Sequence, residues 1–262
     1  GFGSNVDFRQ AKNTGVWKEV KLDKDIPCTN NFKASQGDGL KLAEQVGANI
    51  IDLDDIQLHP GGTPKTGIMS SWPSGRNRIF LTPQGDRFVN EDPARDTLCK
   101  AIFKEGGKYW IVSNHVKYPS LDYQSKNLTI GEMIKLGQAF SGNTVEELAS
   151  KTGMDPKKLK AAIQSYNDAV TGKVKEDSFG FKKSTKDDQP MTEGPYYATP
   201  MVPEVHHTMG GIQINTNAQV LDKNGKVIPG LFAAGEVTGG VHGSNRVGGN
   251  GIADAMVYGR IS

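Results

Sequence analysis

Glycine is concentrated near the C-terminal end of this 262-residue sequence, directly after a short apolar stretch. The stretch from Leu231 to Glu236 predicts a buried strand, and a helix is predicted from Gly251 onward, directly after Gly248-Gly249-Asn250. Strand, glycine loop and helix in this order favour an anion or a polar cofactor. The reason is that a helix N-terminus offers unpaired N–H groups, and glycine lets a ligand approach the backbone. An acidic side chain at the strand end, here Glu236, can hold ribose or ribityl hydroxyls.

Three side chains in the sequence can bind a carboxylate. Arg246 and His206 each precede a glycine pair near the C-terminal end, while Arg95 lies far upstream. An arginine binds a carboxylate through two parallel hydrogen bonds, and a histidine adds a donor. Taken singly, Arg95 could instead pair with Glu91 at helical spacing, and His206 could be a satisfied core histidine. These residues therefore predict an anion site beside a glycine-rich cofactor loop.

The elements that must position these residues follow from apolar periodicity and from capping and turn residues. The spacing predicts helices from Asp38 to about Gly47, from Thr144 (a capping box with Glu147) to Gly153, and from Asp155-Pro156 to about Val170. It predicts a strand over 49–53 and two hairpins, 79–82 with 87–89 and 219–221 with 226–228. The Lys- and Asp-rich stretch 172–195 is typical of a solvated connection.

Composition excludes several classes of function. A net charge of +2 with 23% charged and 36% apolar residues fits a globular protein and gives no electrostatic reason to expect nucleic acid or a membrane surface as partner. The longest apolar runs are far too short to span a bilayer. The two cysteines, Cys28 and Cys99, cannot form a disulfide framework and show no metal-ligand spacing, so no metal site is expected.

Three C-terminal runs resemble the signature of fumarate reductase flavoproteins, especially the soluble flavocytochrome c and urocanate reductase-like members. They are Val205 to Gly211, Ile228 to Gly243, and Asn245 to Asn250. Earlier segments match the same family in the same order: Gly37-Asp38-Gly39, Gln57 to Pro60, and Arg87 to Asp96. The resemblance covers nearly the whole chain, and its C-terminal block is highly specific.

The resemblance implies an α/β fold: part of an FAD-binding Rossmann-like domain into which an α+β capping domain is inserted. The expected FAD-binding segments are 1–58 and 199–262, and the expected capping domain is 59–198. Members of the family begin with a strand, a Gly-x-Gly-x-x-Gly turn and a helix that bind the FAD diphosphate. That remaining N-terminal segment is expected as a partner outside these residues.

The resemblance also implies a reaction and a set of roles. Reduced FAD passes a hydride to an α,β-unsaturated carboxylate, Arg95 protonates the other alkene carbon, His206 and Arg246 bind the carboxylate, and His59 is a further substrate contact. The other substrate-binding residues implied are Ser70, Trp72, Thr208, Met209 and Gly249. The flavin contacts implied are Gly235, Glu236, Gly248, Gly249, Asn250, Gly251 and Ile252.

The sequence departs from the family in one segment. Fumarate reductases return the proton to the arginine through a glutamate and an arginine in Thr-Glu-x-x-Arg-Gly, whereas the corresponding stretch here is Ser70-Ser71-Trp72-Pro73-Ser74-Gly75. Either Arg76, Arg78 or water rebuilds the relay, or the substrate is an enoate other than fumarate. Urocanate, acrylate and aryl-acrylates stay open beside fumarate, and Trp72 could stack against a ring.

Two other functions stay open at this point. Related flavoproteins run the reaction as desaturases, and the chain could also act as a catalytically silent capping or interaction module. The resemblance implies that the electron donor, a haem, an FMN or another redox domain, lies outside these residues. It favours the bacterial periplasm or cell envelope over the cytoplasm.

Overall fold

The computed structural model describes residues 1–29, 34–64, 76–182 and 187–262. The chain divides into two compact units: unit 1 comprises Gly1–His59 and Glu204–Ser262, and unit 2 comprises Pro60–Pro203. Both units mix helices and strands, so the predicted α/β class is confirmed.

The described chain contains seven α-helices and ten strands. The helices are α1 (Val6–Lys12), α2 (Asp38–Gln45), α3 (Arg95–Lys104), α4 (Ile130–Lys135), α5 (Val145–Thr152), α6 (Pro156–Val170) and α7 (Asn250–Ile261). The strands are β1 (Ile50–Ile51), β2 (Ile56–Gly62), β3 (Arg78–Leu81), β4 (Tyr109–Asn114), β5 (Phe140–Gly142), β6 (Tyr196–Thr208), β7 (Gly211–Gln213), β8 (Gln219–Leu221), β9 (Val227–Phe232) and β10 (Thr238–Gly239). A short 3-10 helix covers Gly235–Val237.

Two small sheets lie in unit 1. In the first, β7 is central, antiparallel to β1 and parallel to β10, so that Ile212 lies opposite both Ile50 and Thr238. The second is the β8–β9 hairpin. Gly211 fits only as glycine, because a Cβ there would lie 2.2 Å from the carbonyl oxygen of Val237. This close approach lets the 3-10 helix pack directly beside β7.

A larger sheet has the strand order β2-β6-β4-β3, with β5 also pairing with β6. In unit 2, β4 pairs antiparallel with both β3 and β6. In unit 2, helices α5 and α6 contribute buried apolar side chains, among them Leu148, Leu159 and Ile163, to a core shared with Ile79 and Val112. Unit 2 therefore encloses a hydrophobic core made from its own residues.

Unit 2 also contains a buried cluster of charges around Arg87. The guanidinium donates from Nε to Glu91 Oε1 at 2.9 Å and from Nη2 to Glu91 Oε2 at 2.6 Å, and its Nη1 binds Asp177. The ring centroids of Phe179 and Phe181 lie 5.6 and 5.1 Å from the guanidinium carbon. Every nitrogen of this guanidinium therefore has a carboxylate partner.

Several predicted elements are confirmed with their caps. Helix α2 begins after Gly37 and ends before Gly47, and both glycines have a positive φ, of 81° and 84°. Helix α6 begins at Pro156, and the Asp155 side chain accepts from two N–H groups of its first turn. The predicted hairpin at 219–228 is formed by β8 and β9, with Gly225 at φ 75° in its turn.

The predicted capping box of α5 is only half formed. Thr144 Oγ1 accepts from the N–H of Glu147 at 3.1 Å, and the helix ends at Gly153 as predicted. The Glu147 carboxylate, however, accepts from the N–H of Asn143 at 2.8 Å and from the ammonium of Lys151 at 2.7 Å. The reciprocal bond thus goes to the residue before the cap.

The predicted hairpin at 79–89 is wrong in its second arm. Strand β3 forms, but its ladder partner is β4, and residues 87–89 make only an isolated bridge from Arg87 to Leu81. The residues after Arg87 stay beside β3 but bind it through a side chain instead of a backbone ladder: Glu91 Oε1 accepts from the Phe80 N–H at 2.9 Å while its carboxylate also binds Arg87.

Three further predictions need correction. The strand predicted at 49–53 is only Ile50–Ile51, because Asp52 takes a left-handed conformation with φ 55°. The buried strand predicted at 231–236 ends at Phe232, where the side chain is 42% exposed, since β9 pairs only with β8 in the described parts of the chain. The stretch 172–195 is not simply solvated, because Phe181, Asp188 and Met191 are buried.

None of the helices in the described ranges combines the length and the apolar character that a membrane crossing requires.

Candidate functional site

A cavity of about 480 Å³ opens in unit 1 where four segments meet. These are the end of β6, the 3-10 helix, the loop before α7 and the first turns of α7. The lining residues are His206, His207, Glu236, Arg246, Gly249, Gly251, Ile252 and Ala255. The structure thus brings together six of the residues singled out in the sequence and adds His207 and Ala255.

Helix α7 presents its N-terminus to this cavity. Its N-cap is Gly249, with φ 89°, and no side chain caps the first turn. First-turn N–H groups without side-chain partners, together with the helix dipole, favour a negatively charged or electron-rich ligand. Gly235, at φ 78°, packs closely on the same helix: a Cβ there would lie 3.3 Å from the Cβ of Ala255. Gly248 and Asn250, also predicted as flavin contacts, flank the cap in the chain and are exposed.

Arg246 is buried in the cavity wall with part of its hydrogen-bonding capacity unused. The residue is 8% exposed, its Nη1 donates to the carbonyl of Val247 at 3.0 Å, and its Nε is buried without a partner among the described residues. Burial lowers the pKa of Arg246 and the charge of Glu236 opposes that effect, so the guanidinium stays charged near neutral pH. Gln57 Nε2 donates to the Arg246 carbonyl at 2.7 Å and fixes the backbone at this point. The result is a preorganised cation that can accept an anionic partner.

His206 belongs to a first histidine pair. Its Nδ1 lies 3.0 Å from Thr29 Oγ1, and its ring stacks at a tilt on His59, with centroids 4.8 Å apart. His59 Nδ1 is 3.6 Å from Glu204 Oε1, and both of these side chains are buried. His59 and His206, predicted separately as substrate contacts, are therefore neighbours.

Glu236 is tied to the end of β6. Its Oε1 accepts from the Thr208 N–H at 3.0 Å and from the Thr208 hydroxyl at 3.3 Å. Met209 is 1% exposed and donates its N–H to the Asp55 carbonyl at 2.9 Å; it does not line the cavity. Thr208 therefore holds the Glu236 carboxylate in the cavity wall, whereas Met209 is buried outside the cavity lining.

His207 forms a second histidine pair, which sequence reasoning did not assign. Its ring meets that of His242 edge-on, with centroids 5.4 Å apart at 77°, and His242 Nε2 lies 3.2 Å from Asp254 Oδ2. Burial, with the nearby charge of Arg246, lowers the pKa of His207 to about 3, so its imidazole is neutral near pH 7. The sequence offered one signal for His207, its adjacency to His206. No sequence pattern indicated that His207 contacts His242 or that His242 contacts Asp254.

Arg95 lies in unit 2 as the first residue of α3, after the N-cap Ala94. Ser70 and Trp72, the other predicted substrate contacts in this unit, lie outside the described residues, as do Ser71 and Ser74 of the same segment.

Arg76 and Arg78, named as replacements for the proton relay, have different surroundings. Arg76 pairs with Asp92 at 3.3 Å and with Asp188 at 3.4 Å, and its side chain is 32% exposed. Arg78 is buried, which lowers its pKa, and its Nη2 donates to the Glu91 carbonyl at 2.8 Å. Arg76 is therefore the more accessible of the two arginines.

Lys117 lies beside both arginines. Its ammonium donates to the Arg76 carbonyl at 3.3 Å, and burial with the charge of Arg78 lowers the pKa of Lys117 to about 7.

Comparison with known proteins connects this site to one family. A family model described as an FAD binding domain matches residues 17–252. The chain is 39% identical to an NADH:acrylate oxidoreductase of Vibrio harveyi over 100% of its own length and 25% of that protein's. It is 41% identical to a probable fumarate reductase of Shewanella frigidimarina over 91% of its own length and 39% of that protein's. The solved open conformation of a flavocytochrome c3 fumarate reductase superposes with a TM-score of 0.75 at 37% identity, over 100% of this chain and 43% of that one.

Proposed function

This chain belongs to the FAD-binding oxidoreductase family that includes the fumarate reductases, and we propose that the full-length protein reduces the carbon–carbon double bond of an α,β-unsaturated carboxylate. The observation that carries the proposal is the cavity at the N-terminus of α7, where buried Arg246 keeps an unused donor beside His206. The chain spans only 25% and 39% of the length of the two relatives described above, so the activity is proposed for the whole protein.

The residues of unit 1 fit FAD by their chemistry. The start of α7, which no side chain caps, and the glycines around it suit an electron-rich ring or a negatively charged group, and Glu236 can accept from ribityl hydroxyls. We assign Gly235, Glu236 and residues 248–252 to the cofactor and unit 1 to the FAD-binding part of the protein. Unit 2 is assigned to the capping domain, and the remaining FAD-binding segment to another part of the polypeptide.

FAD, when bound, supplies the hydride that adds to one alkene carbon. Arg246 and His206 hold the substrate carboxylate, which orients the alkene, and their positive and polar groups stabilise the negative charge that develops during reduction. His59, held beside His206 and Glu204, supports this contact. Thr208 and Gly249 complete the substrate site by holding Glu236 and by capping α7, respectively.

Arg95 gives a proton to the second alkene carbon, so that the hydride and the proton together saturate the bond. The pKa of an arginine lies above about 12, and it acts as an acid only if its proton is returned at once. In unit 2, Arg76 with Asp92 and Asp188 offers an ion-paired network for that return, in place of the family's glutamate and arginine.

The electrons come from outside this chain. The names of the relatives indicate NADH for one and a flavocytochrome for another, and we propose a haem, FMN or other redox domain as the immediate donor. By the same analogy we propose the bacterial periplasm or cell envelope as the compartment.

The test is turnover by the full-length protein after reduction with a low-potential viologen dye. Dye reoxidation with fumarate, urocanate, acrylate or cinnamate is the expected result, and the best substrate identifies the enoate class. Arg95→Ala should lower this turnover at least about 100-fold while FAD stays bound. Silence on all four substrates with flavin visibly bound would favour the desaturase reaction, and retained turnover in Arg95→Ala would remove Arg95 as the acid.

A further inference from the structure

Lys117 in unit 2 has a different kind of partner from the ion-paired lysines of the described chain. Those lysines each bind a carboxylate, and they are Lys21, Lys41, Lys151, Lys158 and Lys173. The Lys117 ammonium instead donates to a neutral acceptor, the carbonyl of Arg76, at 3.3 Å. It forms no ion pair with a carboxylate of the described residues. No negative charge in the described part of the chain therefore binds this ammonium directly.

The surroundings of Lys117 disfavour its positive charge. Lys117 is half-buried just after the end of β4, and the guanidinium of Arg78 adds a like charge nearby. Burial and this repulsion together lower the pKa of Lys117 to about 7. The ring of Tyr118, 5.9 Å from the ammonium, is its nearest favourable contact of the cation–π type. About half of the molecules therefore carry a neutral amine at this position near pH 7.

A neutral lysine amine is a nucleophile, whereas an ammonium ion has no free electron pair. An ordinary lysine titrates near pH 10.4, so only about four molecules in ten thousand carry the free amine at pH 7. Burial and a neighbouring cation are the two means by which proteins activate a lysine for covalent chemistry. Lys117 has both, and because the residue is only half-buried a small reagent can reach it. The geometry therefore suits a covalent reaction at the Lys117 nitrogen.

We propose that Lys117 is a covalent modification site whose amine takes an acyl group from an acyl phosphate or an acyl thioester. The nitrogen electron pair attacks the acyl carbonyl carbon and forms an amide bond. The bond from that carbon to the phosphate oxygen or the thiol sulfur breaks, phosphate or thiol leaves with the electron pair, and the nitrogen releases one proton. No atom is oxidised or reduced. An acyl donor fits because it carries its own leaving group, whereas imine formation from an aldehyde must expel water with the help of an acid.

The first experiment uses the full-length parent protein and needs no variant. Trace amounts of isotopically labelled acetic anhydride are added between pH 6 and pH 9 with free phenylalanine as the internal standard. Peptide mass spectrometry then gives the acetylation rate of each lysine. Lys108 is the matched control, because it is exposed and directly precedes β4, which Lys117 follows. No enoate turnover is measured, so failure of the proposed reduction would leave this test unaffected.

The pH profile of acetylation separates an activated amine from an ordinary one. The Lys117 rate should be half-maximal near pH 7 and should rise less than about 1.5-fold from pH 8 to pH 9, because the amine is already neutral there. The Lys108 rate should rise about tenfold over the same interval. A Lys117 rate that also rises about tenfold between pH 8 and pH 9 would overturn the proposal.

Two further arms identify the acyl donor. The same protein is incubated at pH 7.5 with acetyl phosphate or with acetyl-CoA, and the modified peptides are quantified. Lys117 should be acetylated at least about tenfold faster than Lys108 by one of the two donors, since its larger neutral fraction outweighs its lower basicity. The donor that reacts identifies the class. Reaction of Lys117 with the anhydride but with neither donor would overturn the assignment to activated acyl compounds.

Arg78→Gln tests the contribution of the neighbouring charge. Glutamine keeps an N–H donor for the Glu91 carbonyl but removes the like charge beside Lys117. The midpoint of the Lys117 profile should move to higher pH, and the rate at pH 7 should fall about two- to fivefold, with Lys108 unchanged. An unchanged midpoint would overturn the part assigned to Arg78. The profile of the parent protein still decides the proposal if this variant does not fold.

Discussion

Two buried arginines, Arg87 in unit 2 and Arg246 in unit 1, have opposite hydrogen-bonding states. Arg87 donates to both oxygens of Glu91 and also binds Asp177, with two phenylalanine rings beside it. Arg246 has one carbonyl partner for Nη1, and its Nε has none in the described chain.

The pKa values of the two arginines shift in opposite directions because their carboxylate partners differ. Burial acts to lower both, but the hydrogen bonds and charge of Glu91, with the charge of Asp177, raise the pKa of Arg87 overall. For Arg246 burial dominates, because Glu236 opposes it only through its charge, and the pKa is lowered. A buried cation that binds carboxylates cannot be removed without leaving them buried and unpaired, whereas an incompletely satisfied cation is available to a ligand.

The largest expected effect is on ligand binding. Arg246→Met should lower kcat/KM for the best enoate about 100- to 1,000-fold, because it removes a preorganised donor, yet should leave the free energy of unfolding within about 1 kcal/mol. Steady-state kinetics and urea denaturation measure the two quantities. Arg260→Met, at an exposed position in α7, is the control and should change neither. A large loss of stability in Arg246→Met would contradict the contrast with Arg87.

The converse change should affect stability. Arg87→Met leaves Glu91 and Asp177 buried without their cation and should lower the free energy of unfolding by about 3–5 kcal/mol. Urea denaturation followed by circular dichroism measures this. Lys158→Met breaks an exposed ion pair with Asp86 and should cost no more than about 1 kcal/mol. If both variants lose the same small amount, the buried cluster contributes no more than a surface pair.

A third test measures how stability depends on pH, which reports on His207 beside Arg246. His207 has a pKa of about 3 in the folded protein against an ordinary 6.5, so below pH 6.5 the unfolded chain binds more protons and stability falls with falling pH. His207→Gln lacks this group. Between pH 7 and pH 5 its stability relative to the parent should therefore rise by about 2 kcal/mol. Urea denaturation at several pH values measures the difference, and parallel pH profiles would show that His207 is not held neutral.

The smallest expected change in the free energy of unfolding is at the N-cap Thr144, and it gives a reference for the larger ones. Thr144→Ala removes the exposed N-cap of α5 and should cost about 1 kcal/mol, with no change in ligand binding. Thr144→Ser keeps the accepting oxygen and serves as the control in the same urea denaturation. A cost equal to that of Arg87→Met would mean that burial adds nothing to the charged cluster.

Local patterns predicted the helices and one hairpin because the deciding contacts are close in sequence. Asp155 caps α6 within three residues, and Gly225 turns the β8–β9 hairpin. The hairpin at 79–89 was wrong in its second arm because β3 pairs instead with β4 (Tyr109–Asn114), which lies well downstream in the sequence. The burial of Phe181 and Met191 in a charged stretch depends on packing against distant helices in the same way.

For the candidate site, the sequence predicted which residues take part but not which side chains contact one another. Arg246, His206 and Glu236 were identified before the structure and do line one cavity. Nothing in the sequence indicated that His59 stacks on His206, or that His242 connects His207 to Asp254. Such pairs form only when the end of β6, the glycine loop and α7 come together in three dimensions.

The outer face of α7 bears on how the protein should be prepared. Val257 and Ile261, one helical turn apart, are 54% and 47% exposed, and Met256 next to Val257 is 70% exposed. In water, a polypeptide of these 262 residues alone should bind hydrophobic dyes and self-associate through this face. Preparation of these residues is therefore expected to need low protein concentrations, which limit self-association.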